Sequence, residues 1–298
     1  MQTDEGTTLV AQSPVAAART PNDVSAVRNR AGAMLLDTFI DSVSPDDALE
    51  AILGWARSHQ SRSIYFCNVH SLVTARHDLA LRTALATGDL LAPDGFPIAR
   101  LLREAGFKGQ GRISGPDLMP RILGAAARDG LSVYFYGEEP YTLGCLRSAL
   151  AREFPSLTIA GMYSPPFRPL SVEEDCKIVN AINESRAHIL LVALGCPKQE
   201  KWIAAHKGHI RATMLGLGAA FAFFSGVKSR GPRWMQEFGL EWLYRLLLEP
   251  RRLARRYFVT NSAFIFYALR DLLSGRLRAS TAEVTMPRQL SAESDHLR

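Results

Sequence analysis

Short, continuously apolar runs alternate along the chain with longer stretches of helical periodicity. Residues 63–69 (SIYFCNV), 131–136 (LSVYFY), 157–161, 188–194 (HILLVAL) and 213–217 are too apolar to be half-exposed strands. Between them, residues 71–86, 141–154, 172–185 and 197–206 repeat their apolar positions every three or four residues. Strands without polar alternation are covered on both faces. Their alternation with helices predicts an α/β fold, a Rossmann-like and mostly parallel sheet with helices on either side. Ligands of such sheets sit beyond the carboxyl ends of the strands.

The residues that follow each strand therefore carry the interest. Asn68, Val69 and His70 follow the first, and Gly137, Glu138 and Glu139 the second. Residues 195–200 (GCPKQE) and 216–218 (GLG) follow two others. Glycines there serve an ordinary turn or let the backbone approach a ligand. Pro197 stands at a helix start, which predicts an anion site at the amides of Lys198 and Gln199. Residues 90–100 (LLAPDGFPIAR) hold one acid, Asp94, in an apolar setting. Pro-Asp-Gly is a turn signal, but a carboxylate between apolar flanks also suits a general base. Asp117 closes RISGPD, a pattern that fits capping of a following helix. His70 is the best placed of the scattered histidines, beside Asn68.

Charge is unevenly spread. The 298 residues carry a formal +6, whereas residues 228–278 hold eleven basic and four acidic side chains, leaving the remainder near neutral. Within that segment Trp234, Trp242 and Tyr244 stand among leucines, and Arg251, Arg252, Arg255 and Arg256 follow Pro250. Arg245 adds one more cation upstream. Such a surface fits a phospholipid membrane, a nucleic acid or a pyrophosphate. Pro250 predicts a break, with a new helix starting there. No apolar run reaches the length of about eighteen residues that a spanning helix needs, so membrane contact is expected to be peripheral.

Residues 1–32 and 279–298 are polar and Ala-, Thr- and Ser-rich, which predicts disordered extensions, and the first thirty show no leader-peptide pattern. The body is then 33–230 and a C-terminal helical appendage 231–278. The four cysteines lack metal-site spacing and read as buried thiols of a reducing compartment. A P-loop, a GxGxxG turn, DxD, HExxH and GxSxG are all missing, which speaks against nicotinamide chemistry and a dedicated metal site.

Seven segments in order resemble the WecG/TagA/CpsF glycosyltransferases, glycosyltransferase family 26, and within it the GumM-type members of exopolysaccharide pathways. They are NVHSLVTA at 68–75, DGFP at 94–97, RISGPDL at 112–118, GMYSPPFRPL at 161–170, GCPKQEKW at 195–202, GLGAAFAF at 216–223 and the basic C-terminal segment. The resemblance implies an inverting, metal-independent enzyme with no cofactor. It moves a hexose, glucose by the GumM likeness, from a UDP-sugar to a polyprenyl-pyrophosphate-linked saccharide. The place implied is peripheral, on the anionic cytoplasmic face of a bacterial inner membrane. The implied base falls on Asp94. The implied substrate contacts fall on Asn68 and Gln199, and His70, Asp117, Glu200, Gly216 and Gly218 of the neighbouring segments are expected to join them. Arg245, Arg251, Arg252, Arg255 and Arg256 would meet the lipid pyrophosphate or the membrane, as part of a membrane-associating appendage.

Two positions depart from the pattern. Phe66 stands where many members have Thr, and Ala222 where many have the Asp of Phe-Asp-Phe. Two polar groups are thereby lost from the expected sugar site. The alternative to an active transferase is a weakened protein that binds a sugar nucleotide or a lipid-linked glycan. A nucleic-acid binder is disfavoured because the basic excess is confined to one end. A homo-oligomer is left open.

Overall fold

In the computed structural model, residues 26–237, 240–275 and 277–286 are described. The chain opens with β1 (Ala26–Leu35), β2 (Thr38–Asp41) and α1 (Pro45–Arg57). Next come β3 (Arg62–Cys67), α2 (Val69–His77), α3 (Leu79–Ala86), β4 (Leu90–Pro93), α4 (Phe96–Glu104) and α5 (Gly115–Asp129). β5 (Val133–Gly137), α6 (Pro140–Glu153), β6 (Ile159–Tyr163), α7 (Val172–Glu184), β7 (Ile189–Ala193), α8 (Lys198–His206) and β8 (Thr213–Gly216) complete the alternation. α9 (Ala220–Phe224), α10 (Arg233–Glu237), α11 (Glu241–Leu248), α12 (Pro250–Leu273) and β9 (Ala279–Met286) follow.

Six strands form one parallel sheet in the order β4-β3-β8-β7-β5-β6. Alternate residues feed two cores. Ile64, Phe66, Phe135 and Leu191 pack beneath α1, α5, α6 and α9. Tyr65, Cys67, Tyr136 and Leu190 pack against α2, α3, α4, α7 and α8. Both faces are covered, as the unbroken apolar runs require.

Local signals explain most helix ends. Ser44 caps α1 by accepting from the Asp47 amide, and Ser171 forms a reciprocal cap with Glu174 on α7. The single helix expected over 71–86 is two. Asp78 leaves helical geometry, and its side chain accepts from Leu81 N at 3.0 Å to start α3. Of the cysteines expected to be buried, only Cys67 is; Cys176 is exposed on α7, and all four are free thiols. A helix presents its outer face to solvent whatever the residue's polarity.

A second sheet, β2-β1-β9, is antiparallel. It corrects the expectation of disorder at both ends: residues 26–32 and 279–286 are paired strands, and the boundary drawn at residue 33 falls inside β1. Backbone pairing supplies what the polar composition conceals. Residues 1–25 and 287–298 of those expected extensions lie outside the described residues. The sheet is pinned to the body where Arg30 Nη1 donates to Gly88 O at 2.8 Å and where Asp41 Oδ2, itself held by the Arg30 fork, accepts from Leu91 N at 2.6 Å. It thereby braces β4.

The C-terminal helices break where expected, at Glu249, and restart at Pro250. One face of α12 packs on α2 and the body through Leu253, Thr260, Phe264 and Ala268. Arg76 of α2 adds a guanidinium 4.2 Å from the Tyr267 ring centroid. The opposite face leaves Phe258, Ile265, Phe266, Leu269 and Leu273 exposed. Among the described residues no helix is long and apolar enough to cross a membrane. Phe264→Ala should cost about 3 kcal/mol of stability, measured by denaturant melting, and should open residues 250–273 to trypsin before the body.

Candidate active site

The adjacent strands β4, β3, β8 and β7 bring their carboxyl ends to one edge of the sheet. Asp94 follows β4, Asn68 follows β3, Gly218 lies just past β8, and Gln199 opens the helix after β7. The Asp94 turn is set by its backbone. Asp94 N donates to Cys67 O at 2.8 Å, and Pro93 O accepts from Ile113 N at 2.8 Å. Gly95 has φ 101°, in the left-handed half of the map that glycine tolerates, which is why Gly follows the Asp. The Pro-Asp-Gly triplet is thus a turn and a site together.

Asn68 caps α2 with its Oδ1, which accepts from Ser71 N at 3.1 Å, while Ser71 Oγ accepts from Asn68 N at 2.9 Å. With Oδ1 committed, the amide presents Nδ2 to Asp94 Oδ2, 3.4 Å away. An Asp could cap the helix as well but could not donate to a second carboxylate. Asp94 keeps only part of its surface open to solvent. Burial pushes its pKa up to about 6; the Asn68 hydrogen bond and Arg112 pull it down, and Glu241 and Asp117 push it up. A carboxylate near pH 6 suits proton abstraction at neutral pH.

The Gln199 region behaves differently from the expected anion site. Gln199 N donates to Gly195 O at 3.0 Å, so its amide is taken up within the turn. Its side-chain Oε1 accepts from Gly195 N at 3.2 Å, and its Nε2 donates to Glu200 Oε1 at 2.9 Å. Gly216 makes room for this amide: a Cβ there would stand 3.1 Å from Gln199 Nε2. Gly218, at φ 53°, lies near the same side chain. Glu200 is buried, its Oε2 has no hydrogen-bond partner among the described residues, and burial raises its pKa against the Gln199 hydrogen bond that lowers it. These residues form a packed second layer under the strand ends.

Other predicted residues have partners of their own. His70 lies in the first turn of α2 with Nδ1 3.5 Å from Thr74 Oγ1. Asp117 is not the cap of α5 but sits in its first turn, bonded by Ser114 Oγ at 2.6 Å, Arg112 at 3.0 Å and Arg230 at 2.7 Å. Arg245 lies over the Phe223 ring. Arg251 is exposed at the start of α12, and the side chains of Arg252, Arg255 and Arg256 lie outside the described residues. Phe66 is buried in the core that α9 covers, and Ala222 is buried on α9 itself. Arg112, Arg230 and Glu241 were not singled out from sequence. Arg112 opens the RISGPD motif and could have been; the partners of Arg230 and Glu241 are visible only in three dimensions.

Among known proteins, the family model described as the Glycosyl transferase WecG/TagA/CpsF family matches residues 33–278. A relative from Bacillus subtilis (strain 168), N-acetylglucosaminyldiphosphoundecaprenol N-acetyl-beta-D-mannosaminyltransferase, is 33% identical over 173 residues. The match takes in 57% of this chain and 65% of the relative, just under two thirds of that protein's length.

The raised pKa has a thermodynamic consequence. Folded Asp94 holds its proton more tightly than the unfolded residue. Stability is therefore greatest below the unfolded value near 4 and falls as pH rises through about 6. Asp94→Asn should stabilise the fold at pH about 7.5, on the order of 1–2 kcal/mol, with little effect at pH about 4. Chemical denaturation at the two pH values checks this.

Proposed function

The chain belongs to the WecG/TagA/CpsF family of glycosyltransferases, and from that premise we propose an inverting transfer of a hexosyl group from a UDP-sugar to a saccharide carried on a polyprenyl diphosphate. The observation that carries the proposal is Asp94: a desolvated carboxylate with pKa near 6, held at the strand edge by the Asn68 amide. The relative's name supports the acceptor class, since that protein's substrate is a sugar on undecaprenyl diphosphate. The same name gives no support to glucose as donor; it specifies N-acetylmannosaminyl transfer. The donor is therefore kept as a UDP-linked hexose derivative.

In the proposed step Asp94 takes the proton of an acceptor hydroxyl as its oxygen attacks the anomeric carbon. The bond from that carbon to UDP breaks on the opposite face, and UDP leaves with the electron pair. No metal is called on. Negative charge gathering on the diphosphate is met by cations near the strand edge, Arg112 and Lys198 among them. The packed Gln199–Glu200 layer holds this edge rigid from below.

The appendage supplies the membrane side of the proposal. Trp234 of α10 and Trp242, Leu247 and Leu248 of α11 are also exposed, as is Arg251 at the amino end of α12. Aromatic and aliphatic side chains flanked by arginine suit a peripheral helix at an anionic, cytoplasmic membrane face, each arginine contributing about 1 kcal/mol. A weakened sugar-nucleotide-binding protein is the second reading, favoured by the apolar burial of Phe66 and Ala222.

Incubation with a panel of UDP-hexoses and a short polyprenyl-diphosphate glycan should release UDP and lengthen the lipid by one sugar in mass spectrometry. Tight UDP-sugar binding without release favours the second reading. Replacing Phe258, Ile265 and Leu273 by Ser should abolish cosedimentation with anionic vesicles and leave the folded body intact by circular dichroism. Retained binding would move the contact elsewhere.

A further inference from the structure

Arg230 stands between the body and the C-terminal helices. Its Nη1 donates to Asp117 Oδ1 at 2.7 Å, and its Nε and Nη2 donate to the two oxygens of Glu241 at 3.1 and 3.3 Å. The forked pair to Glu241 is the arrangement a guanidinium matches and a lysine cannot. The same guanidinium lies over the Phe223 ring at 5.9 Å. One side chain thus joins the first turn of α5, the short helix α9 and the first residue of α11. Arg230 and Glu241 are each about four-fifths buried, so their charges are poorly screened by water.

Asp94 is reached by Asn68 from the cap of α2, and its backbone amide donates to Cys67 O at the end of β3. Ile113 N donates to Pro93 O beside it, which ties the Arg112–Asp117 ion pair, 3.0 Å long, to the Asp94 turn; Arg112, Asp117 and Glu241 of α11 act on the Asp94 carboxylate through charge. Two of these are carboxylates. With Asp94 ionised the cluster holds Asp94, Asp117 and Glu241 against Arg112 and Arg230. Without Arg230, Asp117 keeps Arg112 at 3.0 Å and Glu241 loses both bonds of its forked partner.

We propose that Arg230 is a positioning residue for Asp94: it clamps Glu241 of α11 to Asp117 of the body and neutralises both carboxylates, so that the base beside them can ionise. The catalytic consequence rests on the transferase function proposed above; the electrostatic one does not.

The test is a carboxyl-carbon NMR titration of the full chain labelled with ¹³C at aspartate Cγ, with the Asp94 signal identified by its loss in Asp94→Asn. Arg230→Gln should raise the Asp94 midpoint by about half a unit to one unit. Arg230→Gln combined with Glu241→Gln should bring it back toward wild type, and Arg230→Lys should lie between. A folded Arg230→Gln with an unmoved midpoint, or a shift that Glu241→Gln does not reverse, overturns the proposal. Should Arg230→Gln fail to fold, Glu241→Gln alone decides: it removes one negative neighbour and must lower the midpoint, and no change overturns the proposal. The acid limb of the transfer rate should move with the NMR midpoint. A shifted midpoint in a protein that transfers no sugar defeats the functional reading and leaves the clamp standing. Normal transfer with an unmoved midpoint defeats the clamp alone.

Discussion

The contact between the Asn68 amide and the Asp94 carboxylate is the constraint on which the site depends. It exists because one side chain does two jobs, capping α2 with its oxygen and turning its nitrogen toward the neighbouring strand end. The parallel pairing of β3 and β4 sets their spacing, and the Arg30–Asp41 brace on Leu91 holds β4 in place. Burial by the surrounding body then raises the carboxyl toward neutrality, where it can accept a proton and still be ionised at working pH.

The C-terminal helices are joined to this centre at two places. α12 lies on α2, the helix that Asn68 caps, while α11 delivers Glu241 to the cluster around Asp94. The basic, aromatic segment is thereby tied both to the helix that Asn68 caps and to the charges around Asp94.

Strands β3, β5, β7 and β8 were legible because burial on both faces leaves continuous apolar runs; the edge strand β6, half-buried, was expected two residues early, at 157–161. β4 was not, being four residues ending in proline, and β1, β2 and β9 are held by backbone pairing that composition does not show. Asp94 was legible as a lone acid among apolar neighbours. The roles of Asn68 and Gln199 came from the family likeness, and the bond from Gln199 N to Gly195 O corrected the idea, drawn from Pro197 at a helix start, that this amide waits for an anion. The Arg230 clamp joins residues 113 positions apart in the chain, and no local pattern announces such a pair.

The most direct measurement is the single-turnover rate of sugar transfer from a UDP-hexose to a polyprenyl-diphosphate glycan, for wild type and Asp94→Asn, across pH of about 4.5 to 8. The expected result is a wild-type rate that climbs about tenfold per pH unit on the acid side and levels above about 6. Asp94→Asn should then be slower by at least about 10²-fold at the plateau, with UDP-sugar binding retained. An Asp94→Asn rate within a few-fold of wild type, or a wild-type rate flat down to the lowest pH, would contradict the role of Asp94 as the base.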